Sequence, residues 1–155
     1  MSFQGELAGI YTCAEKGATL HGVPSAEVVA GRGLVGDRYY CPDGIADPGK
    51  EMTLIESEAL AALAAECEIH LEPSQSRRSL LTRGVPLNHL VDKEFQVGGV
   101  RLRGIRLCEP CTHLESLTIE GVRKGLIHRG GLRAQIVAGG AIRVGDQIVP
   151  HADQR

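Results

Sequence analysis

Short apolar runs broken by glycine and polar residues set the pattern of this chain, and they predict strands more often than helices. Leu7 to Thr12 and Ala26 to Ala30 are two such runs, each bounded by turn-forming residues. The segment GRGLVGDRYY (31–40) follows as a glycine-punctuated loop carrying the pair Asp37 and Arg38. Cys41 to Lys50, with Pro42, Gly44, Pro48 and Gly49, reads as a long turn-rich connection, and Met52 to Ile55 as a further strand. One segment departs from this pattern. From Ser57 to Cys67, Ala59, Leu60, Leu63 and Ala64 recur at helical spacing in an alanine-rich sequence, which predicts a helix. Pro73 and Ser74 bar its continuation.

From Phe95 the alternation has a period of two. Phe95 and Val97 face one way, Gly98-Gly99 supplies a two-residue hairpin turn, and the chain returns through Val100 to Arg103. Val100 and Leu102 share one face of the returning strand, Arg101 and Arg103 the other. After Gly104 the parity inverts, because Ile105 and Leu107 fall in phase with the arginines. A bulge at Gly104 would absorb the inversion and re-aim the strand end, which leads into Cys108-Glu109-Pro110-Cys111. Thr112 to Arg129 is expected to be a largely helical excursion. Leu132 to Val137, Ala141 to Val144 and Gln147 to Val149 then predict closing strands, and residues 151–155 a frayed tail. The sequence contains neither repeat nor linker. The expected fold is one mainly β domain over residues 5–150, a closed or strongly curved barrel with helical insertions.

Composition narrows the function. A chain of 155 residues can bury about two-thirds of its unfolded surface in a single core. Its 20 glycines are scattered, as many tight turns require. With 3% aromatic residues and no Trp, stacking platforms for single-stranded nucleic acid are scarce. A formal charge of -2 gives no general attraction to nucleic acid or an acidic membrane, so any anion site must be local. The start, MSFQGELAGIYTC, lacks the basic and apolar regions of a signal peptide, and no run approaches the ~20 apolar residues of a membrane span. A cytoplasmic protein with reduced thiols is expected. Five cysteines cannot all pair within one chain, and Cys13, Cys41 and Cys67 read as small structural hydrophobes.

Two constellations carry chemistry. Cys108-Glu109-Pro110-Cys111 has the spacing of a redox pair, of half a zinc site, or of a loop presenting one reactive thiolate. The preceding hairpin is not the strand–helix setting of a thioredoxin-like pair. A zinc site would need Cys67-Glu68-Ile69-His70 as its second half. For a single thiolate, Pro110 fixes the backbone before Cys111, and Arg106 and His113 offer cationic surroundings. On spacing alone an inert buried cysteine fits equally well. The second constellation is basic: Arg38 beside Asp37, and Arg77, Arg78 and Arg83 in SRRSLLTRG (76–84). Guanidinium groups match phosphate and carboxylate oxygens in pairs, which suits a local anion site, although solvated surface charge is the plainer reading of any one of them.

Taken in order, these segments resemble the MOSC domain, the C-terminal domain of molybdenum cofactor sulfurases. The resemblance rests on GLVGDR (33–38), SRRSLLTRG (76–84), FQVGGV (95–100), LCEPCTHLE (107–115), HRGGLRA (128–134) and GGAIRVGD (139–146), and covers residues 5–150. It implies a barrel of the pyruvate-kinase type and one functional cysteine, at the position of Cys111 rather than Cys108. In related molybdenum enzymes that cysteine ligates the metal of the pterin cofactor; in sulfurase relatives it is proposed to carry a persulfide. The resemblance maps the family's arginine positions onto Arg38 and onto Arg77 or Arg78, where they would hold the cofactor's phosphate and pterin; Asp37 and Arg83, beside them in sequence, complete the expected cofactor-binding set. One position departs from the family pattern, Ser79 standing where Asn is usual.

The leading expectation is therefore a molybdenum cofactor (molybdopterin) protein, with Cys111 as metal ligand and catalytic residue. It would reduce N-hydroxylated compounds by two electrons or perform a related oxo transfer on a small molecule, served by an electron-donor protein. A sulfur carrier loaded at Cys111 by a cysteine desulfurase is the alternative, and a zinc-stapled or purely structural barrel the third. Pyridoxal phosphate is not expected, since no aminotransferase-like region accompanies these motifs; nor is a nucleic-acid or membrane partner.

Overall fold

In the computed structural model, which describes residues 2–110, 114–115, 118 and 120–151, the apolar runs become strands. They are β1 (Gly5–Thr12), β2 (His21–Gly22), β3 (Ser25–Val29), β4 (Gly33–Leu34), β5 (Met52–Glu56) and β6 (Leu80–Arg83). After these come β7 (Glu94–Val97), β8 (Val100–Leu107), β9 (Leu132–Ala138), β10 (Gly140–Arg143) and β11 (Gln147–Pro150). Helix α1 (Ser57–Cys67) follows β5, and a one-turn helix α2 (Val122–Gly125) precedes β9.

Seven strands form a ring in the order β11-β7-β8-β9-β5-β6-β1, and β1 closes it by pairing with β11. The expected mainly β barrel with helical insertions is what the chain forms. Among the described strands β5 and β6 make the one parallel pairing of the ring. A parallel pair needs a crossover, and α1 together with the 3-10 turn at Pro73–Ser76 provides it. A small sheet, β10-β3-β4, flanks the ring.

The two-residue hairpin is observed, with Val97 opposite Val100 across Gly98-Gly99. On β8, Val100 and Leu102 are buried while Arg101 and Arg103 face outward. The β8–β9 register shifts between Gly104 and Arg106, which places the bulge where the parity change predicted it. No side chain fits there, because a Cβ on Gly104 would lie 2.0 Å from the Leu90 carbonyl oxygen.

Burial divides into two clusters. Inside the ring, Leu7, Leu54, Phe95, Leu102 and Ile148 are fully buried. On its outer side, Leu60 and Leu63 of α1 pack on Ile55 and Leu81, with Val122 and Leu126 of the α2 region completing the layer. Helix α1 ends before Pro73, because Glu68 adopts the left-handed conformation (φ 56°) and its N–H bonds back to Ala64. The buried stripe stops at Leu63, so Cys67, one turn on, is exposed rather than a core thiol. Cys13 is buried as expected and Cys41 half-buried.

Glu51, just before β5, is 4% exposed, and its Oε1 accepts the Gly31 N–H at 2.8 Å. Burial pushes its carboxyl above the usual carboxylate range, while the backbone N–H groups of Gly31 and Ile136 pull the other way. Among the described residues no helix is long and apolar enough to cross a membrane.

Candidate cofactor and anion site

At one end of the barrel lies a cavity of about 420 Å³. Its described lining includes Lys16, Arg38, Arg77, Arg78 and Arg133, together with Tyr39, Thr53 and Cys108, and no carboxylate. Five cations around a cavity this small repel one another, and an anion relieves that repulsion.

Each cation is aimed by the local fold. The turn after β4 buries Asp37, whose Oδ1 pairs with Arg38 Nη1 at 3.1 Å; both side chains are 5% exposed. The same carboxylate accepts the backbone N–H groups of Cys13 and Tyr39. Asp37 therefore orients Arg38 and does not line the cavity. Arg38 also donates to the Arg77 carbonyl at 3.2 Å and lies over the Tyr39 ring at 4.6 Å, with Lys16 Nζ 5.7 Å from the same ring.

Arg77 takes a left-handed conformation (φ 62°) at the end of the 3-10 turn before β6, and its Nη1 donates to the Ala18 carbonyl at 2.8 Å. That turn sends two consecutive arginines in different directions. Arg78, 8% exposed, points into the barrel end, where its Nε donates to Gly130 O at 2.8 Å and its Nη2 to Cys108 O at 3.2 Å. Ser79 is buried behind the wall, and its N–H donates to the hydroxyl of Thr53 at 3.0 Å.

Arg83 is not part of this group. It closes β6, about 16 Å along an extended chain from Arg78, and pairs with Glu6 on the opposite rim with both side chains half-exposed. Neither Lys16 nor Arg133 was foreseen as a site residue, and Lys16 is a lone cation outside every motif. Arg133 lies on β9 opposite Arg106, beyond the Gly104 bulge, and its Nη1 donates to Gly49 O at 3.1 Å. The only sequence signal for it was its place inside HRGGLRA.

Cys111 lies outside the described residues, as does His113. The loop leading to Cys111 is described, and it packs against the turn at residues 128–131. The Cys108 N–H donates to Gly131 O at 2.7 Å, and a Cβ on Gly130 would lie 2.5 Å from Cys108 O. Glu109 accepts the His128 N–H at 2.9 Å and meets its Nδ1 at 3.2 Å. Cys108 itself is 2% exposed. Cys67 lines a separate groove with Glu66, Lys124 and Arg129. Among the described residues, no three His, Cys, Asp or Glu side chains converge as a metal site.

The model of the MOSC domain matches residues 32–149, three-quarters of the chain and all six of the segments on which the resemblance rests. The chain belongs to the MOSC domain family. No curated protein sequence matches this MOSC chain closely enough to register. Among solved structures it is similar to the YuaD protein of Bacillus subtilis, with a TM-score of 0.84 at 16% identity, covering 99% of both chains. It is also similar to YiiM of Geobacillus stearothermophilus (TM-score 0.74, 13% identity, covering 95% of this chain and 75% of that one). YiiM of Escherichia coli gives 0.68 at 17% identity, covering 99% and 71%. At these identities the likeness is one of fold.

Proposed function

We propose that the cavity of this MOSC domain holds the molybdenum cofactor, with its phosphate among Arg38, Arg77, Lys16 and Arg133, and with Cys111 as ligand to the metal. The observation that carries the reading is the convergence of these cations on a cavity with no carboxylate among its described lining residues, against whose wall the Cys108–Pro110 loop is packed. The family's general association with this cofactor supports it. When bound, the metal supplies two-electron redox chemistry, and a soft thiolate suits it as a ligand. The chain's own residues bind the anionic end and orient it through Arg38, which is braced by Asp37 and rests on the Tyr39 ring. The proposed reaction is two-electron reduction of an N-hydroxylated compound or a related oxo transfer. Elemental analysis of protein from a cofactor-producing host tests it. Wild type should contain molybdenum and Cys111→Ala should not; metal-free wild type overturns the reading.

A second reading draws on the same positive surroundings, which also favour an anionic persulfide. The Cys111 thiolate would attack the sulfane sulfur of a desulfurase persulfide, releasing the donor cysteine as thiolate, so that no further oxidant is needed. Mass spectrometry after incubation with a cysteine desulfurase and cysteine should then show about one added sulfur on Cys111, as single-site thiolate transfer requires. Modification of Cys108 instead counts against it.

A further inference from the structure

We infer that Arg78 is a positioning residue that locks the cysteine loop in place, rather than one of the cavity's anion-binding cations. The inference rests on the proposed role of the Cys108-Glu109-Pro110-Cys111 segment and assigns the residue that decides which of its two thiols is available.

Arg78 lines the same cavity as Arg38 and Arg77, but where each of those gives one donor to a main-chain carbonyl, Arg78 turns two nitrogens of its planar fork to main chain. Nε reaches Gly130 O and Nη2 reaches Cys108 O, so one guanidinium bridges two carbonyls from segments more than twenty residues apart in sequence. Both oxygens lie within hydrogen-bond reach of one guanidinium, and the Gly130 backbone packs closely on the loop, since a Cβ on Gly130 would lie 2.5 Å from Cys108 O. Without the guanidinium both acceptors lose these donors, and both lie where water is largely excluded. The bridge also has the correct reach. An arginine presents donors at fixed angles across its plane, whereas a lysine offers a single point charge and cannot hold both oxygens in the same geometry.

Two further ties complete the lock. Cys108 N–H donates to Gly131 O, and Glu109 clasps His128 from the solvent side through the backbone N–H and the ring. Gly131 has no room for a side chain, its Cβ position lying 2.1 Å from Leu54 O, so the turn cannot retreat from the loop. The consequence is selectivity. Cys108 is held by its carbonyl on Arg78 with only 2% of its surface exposed, which withholds its thiol from solution. Of the two thiols in the segment, the one so withheld is that of Cys108.

Arg78→Lys separates positioning from charge, because it keeps the cation and removes the fork. Site-resolved alkylation with iodoacetamide, read by mass spectrometry, would use exposed Cys67 as the internal reference. In wild type Cys108 should stay unlabelled. In Arg78→Lys its labelling relative to Cys67 should rise about tenfold, the rate change that a 1.4 kcal/mol loss of restraint produces, and the rate and pH profile of Cys111 should change with it. Affinity for inorganic pyrophosphate, measured by calorimetry, should stay within about twofold of wild type, whereas Arg77→Gln should lose about tenfold, one charge-assisted contact. If Arg78→Lys instead leaves Cys108 protected, or loses pyrophosphate as Arg77→Gln does, Arg78 is an anion ligand and the inference fails. Should Arg78→Lys not fold, Glu109→Ala loosens the exposed side of the lock and should raise Cys108 labelling by a smaller factor; unchanged protection there is equally fatal. Pyrophosphate binding and molybdenum content of wild type report on the cofactor reading independently of either variant.

Discussion

At the scale of single residues, the site shows how environment decides the worth of an ion pair. Asp37–Arg38 and Glu6–Arg83 have similar chemistry, with oxygens and nitrogens at 3.1 and 2.6 Å, and the shorter one is the weaker. Both partners of the first pair are 5% exposed, so removing Asp37 leaves an uncompensated buried guanidinium and strips acceptors from two backbone N–H groups. The second pair sits in solvent, where screening and side-chain entropy offset the attraction. Asp37→Ala is therefore expected to cost about 3 kcal/mol in urea unfolding, and Glu6→Ala no more than about 1 kcal/mol. Equal losses would contradict the burial argument. Glu51 gives a pH signature of the opposite sign to an ordinary carboxylate. Its carboxyl titrates higher in the folded state than in the unfolded chain. Its contribution is thus fully present below the unfolded value and is lost as pH rises through the folded one. Glu51→Gln, which stays neutral and can still accept the Gly31 N–H, should melt above wild type at pH 8, with the gap shrinking as pH falls toward 5.

At the scale of elements, the Gly104 bulge determines where the end of β8 points. The strand enters with Val100 and Leu102 inside, shifts register against β9, and delivers Cys108 to the barrel end. The bulge is also a docking point: Gly104 N–H donates to Lys93 O, the Asp92 N–H donates to Gly104 O, and Leu90 O presses on the Cα. Gly104→Ala should displace the 3-10 segment Leu87–Leu90 and cost about 2–3 kcal/mol through strain, read as a lowered urea midpoint with unchanged slope. This element was legible in the sequence because a parity change over eight residues leaves few alternatives. The α1 bounds were legible for the same kind of reason. Its terminator was not, since a left-handed glutamate is invisible to propensity, and the exposure of Cys67 followed from that missed cap.

At the scale of the molecule, two clusters share the barrel wall, one inside the ring and one beneath α1. Leu63 is fully buried in the outer cluster, and a Cβ on Gly125 would come within 2.3 Å of it. Leu63→Ala should cost about 2–5 kcal/mol while leaving pyrophosphate affinity unchanged, because α1 contributes no residue to the described lining of the cavity. A matching loss of binding in folded protein would show that the layers are coupled. The barrel class was readable from the density of short strands and turns, but the ring order was not, since no local pattern tells β5 to lie between β6 and β9. The site was half readable. Arginines in a motif declared themselves, whereas Lys16 and Arg133 belong to the cavity only because distant strands meet, and Arg83 left it because β6 runs the wrong way to bring both its ends together.

The pairing of β1 with β11 also has a consequence in time. Glu6 faces Gln147 across the seam, so the earliest strand to be synthesised waits for the latest. At about 5–20 residues per second, the separation of 141 positions takes the ribosome roughly 7–28 s. During that interval β1 has an unpaired edge even where β6 already covers its other side. The nascent chain therefore carries a sticky margin that no amount of fast local folding can hide, and its safety during synthesis depends on crowding and chaperone access rather than on the stability of the finished barrel.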